Sequence, residues 1–112
     1  MATTVDMQVV KSKLEQIIAD KFAIGNERSA HIENCELEGE VLNFKVSVRS
    51  KEVKKERNTG IRITVFSITY DVRGQVNLFN PDPDDVKVCV HAPSPVNLVC
   101  VKASEIARFI MA

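Results

Sequence analysis

A chain of 112 residues and 12.5 kDa has room for one ordinary folded unit and none for two, so a single α+β domain over residues 1–112 is expected. Its 45% hydrophobic and 27% charged content excludes intrinsic disorder, which needs low hydrophobicity and high net charge. Equal numbers of basic and acidic residues, 15 of each, cancel to zero and exclude the uniformly basic surface of a general nucleic-acid coat.

Residues 4–24 read as an amphipathic helix. Thr4 is the expected cap, Asp6 sits in the first turn, and Met7, Val10, Leu14, Ile17, Ile18 and Phe22 recur at helical spacing. Gly25, beside Asn26, is the expected stop, because glycine enters the left-handed conformation without steric cost. From Cys35 the period changes to two. Cys35 and Leu37 lead to a turn at Glu38-Gly39-Glu40, and Leu42, Phe44, Val46 and Val48 then alternate with polar residues as the clearest half-buried strand. The charge-dense run Ser50 to Gly60 reads as an exposed connection.

The next strand changes phase: Ile61, Ile63 and Val65 share one parity, and Phe66, Ile68, Tyr70 and Val72 the other. A bulge near Val65-Phe66 would turn both sets to one face. Asp71 to Gly74 reads as a hairpin turn into a further strand, Gln75 to Phe79, and Asn80 to Asp85 leaves the ladder because its two prolines lack donors. Val86, Val88 and Val90 alternate as another strand, followed by a turn at Ala92 to Pro95 and a strand over Val96 to Val101. With a loop over Ala92 to Asn97, His91 pairs with Leu98, Cys89 with Cys100 and Val88 with Val101. The chain closes in a short helix, Ser104 to Ala112, with Ser104 as cap and Ile106, Phe109 and Ile110 on one face.

Short connections suit hairpins, so the expected fold is α+β: an N-terminal helix packed on a curled antiparallel sheet of about five or six strands, with a short C-terminal helix. This layout resembles, in architecture, cystatin-like and related cup folds.

Met1 to Asp6 shows no basic stretch leading into an apolar run, so a cytoplasmic location is expected. The stretch Ile61 to Val72 is interrupted by Arg62, Thr64, Ser67, Thr69 and Asp71 and falls short of the ~20 apolar residues a spanning helix needs, so no membrane insertion is expected. Cys35, Cys89 and Cys100 form no Cys-x-x-Cys pair, and His31 and His91 complete no zinc spacing, so neither metal nor cofactor is expected. The odd cysteine count argues against a secreted disulfide framework, and Cys89 and Cys100 are expected as reduced, packed neighbours, with a cross-strand disulfide as the alternative under oxidation. His31 with Cys35, and Cys89 with His91, are the only thiol–imidazole pairs by spacing, and neither carries the geometry of a nucleophile and its base, so no catalytic residue is assigned. Asp82, Asp84 and Asp85 match a calcium loop in composition alone and read as a turn.

Charge is segregated along the chain. Glu33, Glu36, Glu38 and Glu40 stand without basic neighbours, whereas Lys45, Arg49, Lys51, Lys54, Lys55, Arg57 and Arg62 oppose only Glu52 and Glu56. A bipolar surface suits docking to a charged partner or self-association, so these seven cations form the expected binding site. The function read from the sequence is a non-catalytic binding or accessory protein, acting through a sheet face or edge and a basic loop, with a protein partner or a homo-oligomer. Two alternatives stand beside it: a carrier of a small apolar ligand between helix and sheet, and nucleic-acid binding through the basic hairpin. The latter is disfavoured by the absence of tryptophan and the single tyrosine.

Overall fold

Asp6 opens the first helix. Its backbone is extended and its side chain accepts a hydrogen bond from the Gln8 amide at 2.9 Å. The computed structural model describes residues 5–112, so the expected cap Thr4 lies outside the described residues. Helix α1 spans Met7–Phe22 and buries Val10, Leu14, Ile17, Ile18 and Phe22, the apolar stripe expected from the spacing. The chain leaves the helix through Gly25 at φ +93°. A Cβ there would stand 2.2 Å from the Lys51 carbonyl oxygen, so glycine is required by this crossing as well as by the backbone angle.

Three strands follow as an antiparallel meander, β1 (Glu27–Glu38), β2 (Val41–Lys55) and β3 (Arg62–Asn77), with β2 in the centre. Two bulges interrupt the ladders. Glu33 is the extra residue of β1 between Ile32, opposite Val46, and Asn34, opposite Lys45. Val65 is the extra residue of β3, since Glu52 pairs with Phe66 and Val53 with Thr64. The second bulge lies where the phase change predicts it. The expected hairpin turn at Asp71 to Gly74 does not form, because β3 runs straight through it, with Val72 opposite Val46 and Gly74 opposite Phe44. Gly74 serves close packing instead of a turn: a Cβ would stand 2.8 Å from Phe44 Cζ and 3.0 Å from Val88 Cγ1. Nor is Ser50 to Lys55 a loop. It extends β2, and the connection shrinks to a turn around Glu56 to Ile61.

The last two strands, β4 (Lys87–His91) and β5 (Leu98–Lys102), form their own antiparallel hairpin. There are thus five strands in two sheets among the described residues, where one sheet of about five or six was expected. Their register is the expected one, with Cys89 opposite Cys100 and Val88 opposite Val101. The expectation of reduced, packed thiols is corrected: Cys89 and Cys100 are exposed and joined by a disulfide across a Cα separation of 4.1 Å. The physical reason is the face they share. Val88, Val90 and Val101 take the buried side, leaving the cysteines directly opposed on the outside with no apolar cover.

Helix α2 (Ala103–Met111) starts immediately after β5 and buries Ile106, Ala107 and Ile110, with Phe109 turned outward. Ser104 is not its cap. It is buried in the first turn and its hydroxyl donates to Asp84 Oδ1 at 3.2 Å. The two helices are bridged by Lys21 and Glu105 at 3.3 Å.

The core gathers α1, α2, the inner face of the meander and the valines of the hairpin into one buried cluster. Its upper boundary is a polar relay. The Tyr70 hydroxyl donates to the Phe22 carbonyl, Ser50 Oγ lies 2.9 Å from Tyr70 Oη, and the Ile24 amide donates to Ser50 Oγ at 2.9 Å. With the Tyr70 proton committed to Phe22, Ser50 is the donor to Tyr70, and each buried hydroxyl is satisfied. Burial pushes the Tyr70 phenol up, partly opposed by the Ser50 hydrogen bond.

Geometry explains why the core stops there. The 16 residues of α1 span ~24 Å at helical rise, whereas the 15 residues of β2 span ~50 Å at strand rise. One helix cannot cover the hairpin. The molecule is accordingly 62 × 27 × 21 Å with a radius of gyration of 16.1 Å, against ~13 Å for a compact chain of this length.

Candidate functional site

Past Ser50 and Tyr70, the β2–β3 hairpin continues as a two-stranded arm without a helix over it. Register assigns its faces, because directly paired residues share one side. Lys54 pairs with Ile63 and Glu52 with Phe66 on the side continuous with the core, while Lys55 pairs with Arg62 and Val53 with Thr64 on the other. Ile61, Ile63 and Val65 are 58%, 53% and 53% exposed, so the bulge exists but the burial expected from it does not. The sequence reading missed them as surface residues because apolar alternation signals a strand, and only the length of α1 shows that nothing reaches them.

At the root of the arm, Asn26 does the work of a strand residue. Its side-chain amide donates to the Val53 carbonyl at 2.6 Å and its oxygen accepts from the Val53 amide at 2.9 Å, covering the β2 edge just beyond the first β1 pair, Glu27 with Lys51. Nearby, Asn26, Arg28, Arg49 and Lys51 help line an open depression of about 420 Å³.

The structure divides the seven expected site residues. Lys45 is a structural cation, half-buried in mid-sheet between Glu33 at 3.1 Å and Asp71 at 3.8 Å. Arg49 and Lys51 lie along the same outer face, and Arg49 reaches Ser67 Oγ at 3.4 Å. Lys54, Lys55, Arg57 and Arg62 are brought together at the distal end, all exposed. There Lys55 stands directly opposite Arg62, a like-charge pair that weakens a ladder. Arg62 partly escapes it through an ion pair with Glu27 at 3.1 Å. At the opposite end of β2 lies the turn Glu38-Gly39-Glu40, so the charge segregation of the sequence becomes segregation along the long axis.

The thiols and histidines do not converge. Cys35 is on the core side of β1, opposite Phe44, whereas His31 is on the outer side opposite Ser47, with the Glu33 bulge between them. Burial pushes the Cys35 thiol up, only partly opposed by Lys11, which makes it a poor thiolate at neutral pH. Cys89 is consumed in the disulfide and His91 faces Leu98. The acids of the proline loop hold local structure: Asp82 accepts from the Asn77 amide at 3.3 Å and Asp84 from Ser104. Among the described residues, no group of three or more His, Cys, Asp or Glu side chains gathers at metal-binding distance. Nor is any helix among them long and apolar enough to cross a membrane.

Comparison of the chain with protein-family models, curated proteins and solved structures finds no match. The functional reading therefore rests on the geometry of this molecule.

Proposed function

We propose that the protein is a non-catalytic association module whose β2–β3 arm docks an acidic surface of a protein partner. The observation that carries this reading is the exposed apolar set Ile61, Ile63 and Val65 on an arm the core does not cover, with Lys54 on the face of Ile63, Lys55 and Arg62 on the other face and Arg57 in the turn. Apolar side chains supply desolvation at the centre of a contact, and surrounding cations supply steering and partner choice. The carrier alternative has less support, since Leu14, Ile18 and Phe22 fill the space between helix and sheet. The cup-like curvature expected from the sequence is proposed on the bulges at Glu33 and Val65, which bend the strands that carry them.

The proposed location is cytoplasmic. The Cys89–Cys100 bridge favours a second reading, an oxidising compartment, where such bonds persist. Thiol alkylation of protein taken directly from cells separates the two.

The functional test places a photo-crosslinking residue at Ile61 in cells. The expected result is a small set of adducts that disappears in K54E/K55E. No adducts, or adducts indifferent to the charge reversal, would remove the arm from function. Tight binding of the purified protein to duplex DNA at physiological salt, with a steep salt dependence, would replace the protein partner by nucleic acid.

A further inference from the structure

The two outer edges of the meander differ in their protection. β1 carries Glu27, Arg28, Glu33, Glu36 and Glu38 along its length, and charges of this kind discourage pairing with another chain. β3 carries none between Ile63 and Thr69, and neither proline nor lysine interrupts it. The β4–β5 hairpin approaches β3 at Gly74, and the stretch from Arg62 to Asp71 has no strand beside its outer edge among the described residues.

We infer that this edge pairs antiparallel with the same edge of a second copy of the chain, joining two meanders into a continuous six-stranded sheet. The segment is self-complementary in one register. With the two-fold axis at Ser67, Arg62 of each copy stands opposite Asp71 of the other, and the bulged pair Val65 and Phe66 stands opposite Ile68. Faces match throughout: Arg62 and Asp71 both lie on the outer side, opposite Lys55 and Ser47, whereas Phe66 and Ile68 lie on the core side, opposite Glu52 and Ser50. Moving the axis one residue, to Ile68, puts Arg62 against Arg73 instead, so charge selects the Ser67 register. An isologous contact of this type satisfies every pairing twice. It also sets Ile63 of each copy opposite Tyr70 of the other and Phe66 opposite Ile68, where single copies leave Ile63 and Val65 more than half exposed. The contact uses the backbone edge of β3 and shares Arg62, Ile63 and Val65 with the docking surface proposed above, so it rests on the same uncovered arm, whereas Lys54, Lys55 and Arg57 lie outside it.

Analytical ultracentrifugation of the full chain across a concentration series tests this, with circular dichroism to confirm folding of each variant. The expected result is a concentration-dependent dimer. Val65→Lys, at an exposed position, raises its dissociation constant on the order of 10-fold or more, because two like charges meet near the axis. R62D and D71R each weaken the dimer, and R62D/D71R recovers it in part, because the pair is rebuilt with its signs exchanged while the contacts of Arg62 with Glu27 and of Asp71 with Lys45 inside each copy are lost. R57E, in the turn and outside the paired edge, leaves the dimer in place, which separates this contact from partner docking by the tip. A chain monomeric at every concentration would overturn the inference, as would a dimer indifferent to Val65→Lys or charge reversals that the double variant fails to rescue.

Discussion

The β2–β3 hairpin has two halves built from the same alternation and placed in opposite surroundings. In the covered half, Val46, Val48 and Val72 are fully buried beneath the helices, whereas in the arm Ile63 and Val65 are 53% exposed. Strand formation and burial are therefore separate consequences of the sequence. Alternation decides that a segment is a strand, and the reach of the element packed on it decides how much of that strand becomes core. A helix of four to five turns on β1 and β2, with α2 and β4 on β3, covers only the first part of a hairpin this long, and the remainder stays exposed.

Substitutions in the two halves should separate them sharply. The largest effect is expected for Leu14→Ala, which empties a fully buried site against the covered half and should cost ~2–5 kcal/mol of unfolding free energy in denaturant titration. Ile63→Ala, at the uncovered end of the same hairpin, should stay within about 0.5 kcal/mol. Equal losses at both positions would mean that the arm belongs to the core.

Opening the Cys89–Cys100 bridge with serine at both positions should cost up to ~3 kcal/mol, the loop-closure value for a sequence separation of 11. Because both cysteines are exposed, the loss should match that of chemical reduction of the unaltered chain. A serine variant much less stable than the reduced protein would assign the cysteines a packing role that their exposure does not provide.

Tyr70→Phe addresses the boundary between the halves and should cost ~1–3 kcal/mol by leaving the Phe22 carbonyl and Ser50 without their buried partner. It carries a pH signature. Burial raises the phenol in the folded state, so the folded chain holds this proton more tightly than the unfolded chain does. That contribution is complete below the ordinary phenol value of roughly 10 and is lost as pH rises from there through the folded value. Stability of the unaltered protein should fall above that pH, and the fall should be shallower in Tyr70→Phe.

The smallest effect on folding is expected for K54E/K55E, where exposed cations of the arm are reversed. Unfolding free energy should change by less than about 0.5 kcal/mol, while association with an acidic partner slows and loses its salt dependence, as judged by stopped-flow mixing at two ionic strengths.

Local patterns were the legible part of this molecule. The apolar stripe of α1 and the valine alternation around Cys89 and Cys100 identified a helix and a hairpin register, because both depend on residues close in sequence. The first half of β1 was not legible: Glu27 to Asn34 is a polar edge strand, and the bulge at Glu33 shifts its inward set from Ala30 and Ile32 to Cys35 and Leu37. Gly74 read as a turn because the side chains that crowd it, Phe44 and Val88, are distant in sequence. At the candidate site, the cations were visible as a run of charge, but not their division into the structural Lys45 and the cluster around Lys54, Lys55, Arg57 and Arg62. That division follows from the length of β2 relative to α1, a comparison between elements that no single segment contains.

Native-state hydrogen exchange, read residue by residue at low and high protein concentration, tests the division of the hairpin most directly. Amides of Val46, Val48 and Val72 should exchange only by global unfolding at either concentration, whereas those of Lys54, Ile63 and Val65 should exchange by local opening when dilute and slow as concentration rises. Arm amides as protected as the core, and indifferent to concentration, would contradict the account of an uncovered arm kept for association.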